Sequence, residues 1–198
     1  MPTISINESW NFSLVIGNYK HEESSGYLPL VSVEDDFTSL VESLANKYHY
    51  DLSIMRNLLD GNAVVGSTFF EDATYNDFIN SKDILRSLNE YLECLQELKT
   101  KKNKTLVYSL MFYFLGHGVS WNNQDYLIGS SGKPTSVKQI QKVLQDSHCT
   151  KQHTLVLDCC RNVKKIDIEP DMHERSPDIN MTVVFGAVEG AVAPDVLG

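Results

Sequence analysis

Short runs of apolar residues recur along the chain, and each run ends at a glycine, an asparagine or a polar cluster. Runs of this length are typical of strands that are buried on both faces of a sheet. The first run, FSLVIGN, closes on a Gly-Asn pair of this kind. The pattern predicts five strands, at 12–18, 51–60, 105–115, 153–160 and 181–190.

Between the strands the apolar residues recur at every third or fourth position instead, which is typical of helices that bury one face. This spacing predicts helices within 32–48, 75–100 and 136–147. Between the second predicted strand and the second predicted helix, Gly61 and Gly66 mark a segment that we interpret as a polar loop. A second loop is expected between the third strand and the third helix.

Strands that alternate with helices predict an α/β fold with a mainly parallel sheet and helices on both of its faces. A length of 198 residues suits one domain. One segment breaks the pattern, because residues 162–180 are polar, contain two prolines and show no apolar period. We expect this segment to be an exposed loop.

Charge excludes some classes of partner. The chain has 17 basic and 26 acidic residues, a formal net charge of −9. Such a balance creates no field that attracts phosphate backbones or anionic lipids, so neither nucleic acid nor a membrane is an expected partner. No apolar run approaches the roughly 20 residues of a membrane span, and the N-terminus lacks the regions of a signal peptide. We therefore expect a soluble, cytoplasmic protein.

The chain contains four cysteines and no CxxC pair. Cys159 and Cys160 are adjacent, an arrangement poorly suited to a mutual disulfide, so we predict reduced thiols. His148, Cys149 and His153 are close in sequence, but they lack a second pair of ligands and do not make a convincing zinc site. We predict neither a metal nor another cofactor.

A histidine follows the third predicted strand directly. His117 stands between Gly116 and Gly118, which allow a sharp turn and the close approach of another molecule. In open α/β sheets, ligand sites form beyond the carboxyl ends of the strands, where this histidine is expected. A lone histidine at such a place is more often structural than catalytic, so the motif needs a partner.

The end of the fourth predicted strand supplies a partner. Side chains alternate along a strand, so Val156, Asp158 and Cys160 are expected on one face and Leu157 and Cys159 on the other. Cys160 thereby shares a face with an acid. A cysteine and a glycine-flanked histidine at the ends of consecutive strands make a candidate nucleophile and base.

At these residues the sequence resembles the caspase-like cysteine peptidases, and among them the paracaspases and metacaspases more than the true caspases. FYFLGHGV is similar to their histidine motif, and LVLDCCRN is similar to the Asp-x-Cys-Arg segment of paracaspases. The caspase signature Gln-Ala-Cys-Arg/Gln/Gly-Gly, with a histidine about 50 residues upstream, is matched only at Cys160, at Arg161 and in the approximate spacing. LVIGNYKHE, PLVSVEDDFTSL and VVFGAVEGAVAPD resemble further segments of the same fold.

The resemblance implies a caspase-like three-layer sandwich. Its large-subunit portion would end at about 162, a linker would occupy 162–180, and the small-subunit portion would begin at 181–198. The family fold continues through a further strand and helices, so we expect the C-terminal part of the fold to be missing here. The remaining small-subunit segment or a second protomer is then an expected partner, beside a protein or peptide substrate.

The resemblance also assigns roles. Cys160 would be the nucleophile and His117 its base and later its acid, while the backbone N–H groups of Gly118 and Cys160 would stabilise the oxyanion. Asp36, Asp158 and Asp195 would line the first specificity pocket.

The first position of that pocket has a competing assignment in Asp35. An acidic pocket implies cleavage after basic residues, with Arg preferred over Lys because its planar fork engages two carboxylates. The alternative is a catalytically silent relative that binds partners through the same groove. If the protein is active, the linker itself offers cleavage sites after Arg175 or Lys165.

Overall fold

The computed structural model describes residues 10–18, 21–30, 53–56, 63–66, 83–102, 108–147, 152–163 and 181–186, with positions 33, 35, 36, 39, 40 and 43. Several predictions from the sequence fall outside these residues. They are the third pocket acid, Asp195, the linker from residue 164 to residue 180, and the first part of the second helix, 75–82.

Ten strands and two complete helices form within the described residues. In chain order the strands are β1 (Trp10–Gly17), β2 (Ser53–Arg56), β3 (Ala63–Gly66), β4 (Tyr108–Gly116), β5 (Gly118–Trp121), β6 (Gln124–Ile128), β7 (Pro134–Ser136), β8 (Gln152–Cys159), β9 (Asn162–Val163) and β10 (Met181–Phe185). The helices are α1 (Ile84–Lys102) and α2 (Val137–Asp146).

The main sheet has six strands in the order β10-β8-β4-β1-β3-β2. Its centre is parallel, because β1 pairs with β4, β4 with β8 and β8 with β10 in the same direction. This confirms the predicted α/β fold with a mainly parallel sheet. The remaining strands, β3 and β2, are antiparallel to their neighbours.

The predicted loop from Gly61 to Gly66 is wrong, because residues 63–66 form strand β3. This strand pairs with β2 as a hairpin and continues the sheet beside β1, where Leu14 is the register partner of Gly66. The four residues of this strand, Ala-Val-Val-Gly, are too few to show a period. Its pairing partners, which are distant in sequence, decide its structure.

The loop expected after the third strand is also wrong. Residues 118–136 form three antiparallel strands, β5, β6 and β7, which make a second sheet in the order β7-β6-β5-β9. The hairpin between β5 and β6 turns at Asn122 and Asn123, whose φ angles are 50° and 59°. Asparagine tolerates this left-handed region better than most residues, and two such residues in succession suit a two-residue hairpin.

The first two residues of the predicted linker belong to a strand. Asn162 and Val163 form β9, which pairs parallel to β5 with Asn162 opposite Val119. Polar composition indicated a loop here, but the backbone hydrogen bonds of the second sheet extend to these two residues. The residues just after the predicted nucleophile are therefore part of a sheet.

The helices begin at polar residues that cap them. Asp83 Oδ1 accepts a hydrogen bond from Arg86 N at 3.2 Å at the start of α1. Ser136 and Gln139 form a reciprocal capping box at the start of α2. The described positions between 33 and 43 are helical, in agreement with the first predicted helix.

The largest part of the core lies against the face of the main sheet that packs on α1 and α2, and Val15 and Val33 extend it on the other face. Phe112 is the register partner of Leu155 and Phe114 that of Leu157, and all four side chains are buried in one cluster with apolar residues of α1 and α2. Burial alternates along β8 as the sequence pattern predicts, so Asp158 is exposed between two buried residues. No helix within the described residues is long and apolar enough to cross a membrane.

Candidate active site

The carboxyl ends of β4 and β8 place the predicted nucleophile and base side by side. Gly116 and Cys159 are the last register partners of these two parallel strands. His117 follows the first and Cys160 follows the second, so each stands one residue beyond the same rung of the sheet. Cys160 lies outside β8, which ends one residue earlier than predicted.

Gly118 brings the chain close to the nucleophile. A Cβ atom at this position would lie 2.6 Å from Cys159 Sγ and 2.6 Å from the Cys160 carbonyl oxygen. Any larger residue would push β5 away from the end of β8. The structure therefore brings together three of the predicted site residues, His117, Gly118 and Cys160, at one edge of the sheet.

One hydrogen bond determines which ring nitrogen of His117 carries the hydrogen. His117 Nε2 lies 2.8 Å from the backbone oxygen of Leu28. A carbonyl oxygen only accepts, so Nε2 carries the hydrogen and donates. In the neutral ring Nδ1 is then the nitrogen with a free lone pair, as a general base requires. The sequence contained no sign of Leu28, because its contribution comes from the backbone.

A buried asparagine connects the strand ends around the histidine. Asn18 follows β1, is fully buried, and its backbone N–H donates to the Leu115 oxygen at 2.9 Å. Its side-chain Nδ2 donates to the Ile128 oxygen at 3.1 Å. Ile128 N in turn donates to the His117 oxygen at 2.9 Å. These bonds hold the backbone of the histidine from both sheets.

Two further rings surround His117. The ring centroid of His21 lies 5.0 Å from that of His117, and the ring centroid of Tyr27 lies 5.2 Å from it. Both residues belong to the segment after β1, which leaves the carboxyl edge of the same sheet. That placement was available from the sequence, because segments that follow parallel strands meet at one edge. The pattern of apolar residues alone did not single them out.

The two adjacent cysteines have different surroundings. Cys159 is 3% exposed, and burial, followed by the nearby Cys160, raises the pKa of its thiol to about 12. Such a thiol stays protonated at neutral pH and is a poor nucleophile. Cys160 is partly exposed at the end of the strand. Access therefore favours Cys160 over its neighbour.

Arg161 fastens the segment after the nucleophile. Its Nε and Nη2 donate to Asp125 Oδ1 and Oδ2 at 3.0 Å and 2.9 Å, a bidentate pair. Asp125 also accepts from Ser120 Oγ. The guanidinium carbon lies 4.2 Å from the centroid of the Phe185 ring. The residue next to Cys160 thus contacts the second sheet and β10 at once.

The charge of one predicted pocket acid acts on another. The side chain of Asp158 reaches solvent, but the groups packed around it remove part of its water, and this partial desolvation, followed by the charge of Asp36, raises the pKa of Asp158. Burial and then these two acids raise the pKa of Tyr113, which is the register partner of Val156 on the Asp158 face of the sheet. A Cβ atom at Gly186 would lie 2.6 Å from Asp158 Oδ1, so only glycine leaves room for this carboxylate.

Taken together, a mainly parallel α/β sheet carries a cysteine and a histidine on adjacent strand ends, which is an arrangement suited to a thiol hydrolase. The comparison with known families agrees with this class. The caspase domain family matches residues 11–196. No curated protein matches the sequence. The chain belongs to the caspase domain family of cysteine peptidases.

Proposed function

We propose that the protein is a cysteine endopeptidase in which Cys160 is the nucleophile and His117 the base and acid. The observation that carries this proposal is the pairing of Gly116 with Cys159 at the ends of the parallel strands β4 and β8. Because His117 and Cys160 each follow one member of this pair, both are at the same edge of the main sheet. The bond from His117 Nε2 to Leu28 supports it, because it leaves Nδ1 as the accepting nitrogen.

In the proposed reaction His117 takes the thiol proton, and Cys160 Sγ attacks the carbonyl carbon of the peptide. The backbone N–H groups of Gly118 and Cys160 stabilise the oxyanion, a contribution of about 3 kcal/mol where it has been measured. His117 then donates its proton to the leaving amine, and the acyl group remains on sulfur as a thioester. Water, deprotonated by His117, hydrolyses the thioester and restores the thiol.

For specificity we propose a basic residue before the scissile bond, with Arg preferred over Lys. The effect of the Asp36 charge on Asp158 supports this, since a cation beside two neighbouring carboxylates relieves their repulsion. Asp195 completes the proposed pocket. A planar guanidinium can engage two carboxylates at once, whereas an ammonium acts as a point charge.

Fluorogenic peptides that end in Arg before the reporter amide test the activity. We expect turnover by the wild-type chain and none by Cys160→Ala or His117→Ala. The matched control is Cys159→Ala, which removes the buried neighbour and should retain most of the activity. Substantial turnover by Cys160→Ala would refute the nucleophile.

A chain that binds such peptides without cleaving them would instead fit the silent binding module.

The preference for the residue before the scissile bond is tested with the same peptide series. Peptides ending in Asp should be cleaved negligibly, because an acidic pocket repels a carboxylate. Comparable rates after Asp and Arg would refute the pocket.

A further inference from the structure

One buried side chain near the site has no obvious role in the reaction. Both ring nitrogens of His21 are buried, and neither has a hydrogen-bond partner among the described residues. Buried polar atoms are nearly always partnered in folded proteins, so an exception needs an explanation. A phenyl ring would fill the same space without the cost of burying two polar atoms.

The place of this ring suggests the explanation. His21, Tyr27 and His117 form a closed group of three rings, which we call the ring cluster. Its centroid distances are 5.0 Å, 5.2 Å and 5.7 Å, and the planes are tilted by 37° to 50°. These are ordinary distances for rings in contact. His117 is therefore packed by both other members of the cluster.

Among the described residues, His117 is the titratable group whose charge acts on His21. Burial is the main cause that lowers its pKa from the ordinary 6.5, and the charge of His117 lowers it further. Backbone groups of Gly129, Asn18 and Ser130 act in the opposite direction but less strongly, without reaching hydrogen-bond geometry. From its own segment Tyr27 faces it with a neutral ring. At neutral pH the imidazole of His21 is uncharged.

We propose that His21 is a positioning residue for His117: its neutral ring packs against the imidazole, keeps Nε2 directed at Leu28, and leaves the proton of the pair on His117. This inference rests on the proposed function, because it assumes that His117 exchanges a proton with Cys160. His21 itself touches no reacting atom and takes no part in the proton transfer.

The physical reason is the interaction between two imidazoles at 5.0 Å. A charge on His117 disfavours a second charge on His21, and burial of His21 disfavours it further, so His21 binds a proton less readily than a free imidazole does. A proton gained by His117 from the thiol therefore stays there until the leaving amine takes it, and is not lost to the neighbour.

Two substitutions separate the two parts of the proposal. His21→Phe retains a ring of similar shape and removes the titrating group. His21→Ala removes the packing as well. The control is His153→Phe, because His153 is a second buried histidine whose pKa is lowered by burial, and it lies in β8 away from the ring cluster. Thermal melting establishes that each variant is folded.

The first measurement is the rate of alkylation of Cys160 by iodoacetamide in the full chain, followed by peptide mass between about pH 5 and 8. In the wild type we expect a separate step below pH 6.5, where His21 takes its proton. The step should be absent in His21→Phe and present in His153→Phe. In His21→Ala the rate at neutral pH should fall by up to about a hundredfold, the loss that a misplaced catalytic group can cause.

The second measurement is the long-range ¹H–¹⁵N spectrum of the histidine rings, which does not depend on the chemistry of Cys160. We expect His117 with hydrogen on Nε2 in the wild type and in His21→Phe, and a mixture of tautomers in His21→Ala. Superimposable pH profiles of wild type and His21→Phe, or an unchanged tautomer in His21→Ala, would overturn the proposal. Equal alkylation of wild type and His117→Ala would instead refute the proposed function, and the spectra would still decide the role of His21.

Discussion

At the scale of single residues, the negative charge of Asp158 has opposite effects on stability and on binding: it is unfavourable in the folded chain and favourable for a bound cation. Its carboxylate lies near Asp36 and against Gly186, and burial and the neighbouring charge raise its pKa. The ionised form of Asp158 is therefore less favoured than that of a free aspartate. A bound cation would reverse this, because it interacts with the ionised form alone.

The first prediction concerns pH and the residue before the scissile bond. Citrulline has nearly the shape of arginine but no charge, so the ratio of kcat/KM for the two peptides isolates the charge. We expect a ratio of about ten to a hundred at neutral pH, the value of a charged hydrogen bond. As pH falls through the raised pKa of Asp158, the carboxylate is protonated and the ratio should decline.

Titration of Cys160 and His117 affects both peptides equally and cancels in this ratio. The control is Asp158→Asn, for which the ratio should be small and should vary less with pH. A wild-type ratio that stays constant down to the pH of unfolding would contradict the prediction.

The second prediction concerns stability. The folded chain binds the Asp158 proton more tightly than the unfolded chain does, so the free energy of unfolding decreases as pH rises from 3.8 through the raised pKa. Asp158→Asn removes this effect. Because the side chain is exposed, we expect only a small rise in Tm at neutral pH, about 1–2 °C. At pH values below both pKa values the difference should vanish, and a variant that melts lower at neutral pH would refute this account.

At the scale of elements, the segment after β8 is held by a pair that joins both sheets. The side chains of Arg161 and Asp125 are only 18% and 20% exposed. Asp125 belongs to β6 and Arg161 directly follows Cys160. The pair therefore fixes the position of Cys160, the proposed nucleophile, relative to the second sheet. Partly buried bidentate pairs are costly to break, because the remaining charge loses its partner.

The third prediction tests this pair. Asp125→Asn should lower the free energy of unfolding by about 1–3 kcal/mol. It should also lower kcat more than it raises KM, since it moves the nucleophile and not the pocket acids. Urea unfolding and peptide kinetics measure the two effects.

The matched control is Asp146→Asn, which breaks the pair of Lys142 and Asp146 on α2. Those side chains are 57% and 62% exposed. An exposed pair of this kind contributes about 0.5 kcal/mol or less. Equal effects of the two substitutions would show that the pair with Arg161 has no special role.

At the scale of the whole molecule, the two portions of the chain on either side of the predicted linker belong to one sheet. β10 pairs with β8 along five residues, and Gly186 N donates to the Leu157 oxygen at 2.9 Å. Phe185 also lies under the guanidinium of Arg161. Among the described residues, noncovalent contacts thus hold β10 to β8.

The fourth prediction follows from these contacts and from the proposed specificity. We expect an active form of the protein to cleave itself after Arg175, or secondarily after Lys165, in the polar segment that follows β9. The cleaved portions should remain associated through β8 and β10 in gel filtration. Intact masses of wild type and Cys160→Ala, incubated side by side, measure the cleavage, and identical masses in both would reject it.

Much of the sheet edge where His117 and Cys160 lie was predictable from local patterns. The apolar runs identified β1, β4 and β8, since strands buried in the centre of a sheet are apolar throughout. An apolar run also identified β10, although this strand is at the end of the described strand order and Val184 is exposed. The carboxyl ends of such strands meet at one edge, so His117 and Cys160 could be assigned to it before any contact was known. The alternation along β8 likewise predicted that Cys159 and Asp158 lie on opposite faces of the strand.

The remainder depended on contacts between distant residues. Strand β3 and the second sheet are made of short, mixed segments that form strands only when a partner offers hydrogen bonds. The Leu28 oxygen is 89 residues away from the ring that it orients, and a backbone oxygen is the same in every residue.

By itself, then, the sequence determined which strands are buried and which reactive side chains end them, because both depend on neighbours along the chain. Only the tertiary structure decided the hydrogen bond of His117, the neutral ring of His21 beside it and the pair of Arg161 with Asp125. Those features arise where separate segments meet. Their energies depend on burial and distance in space, which no local pattern specifies.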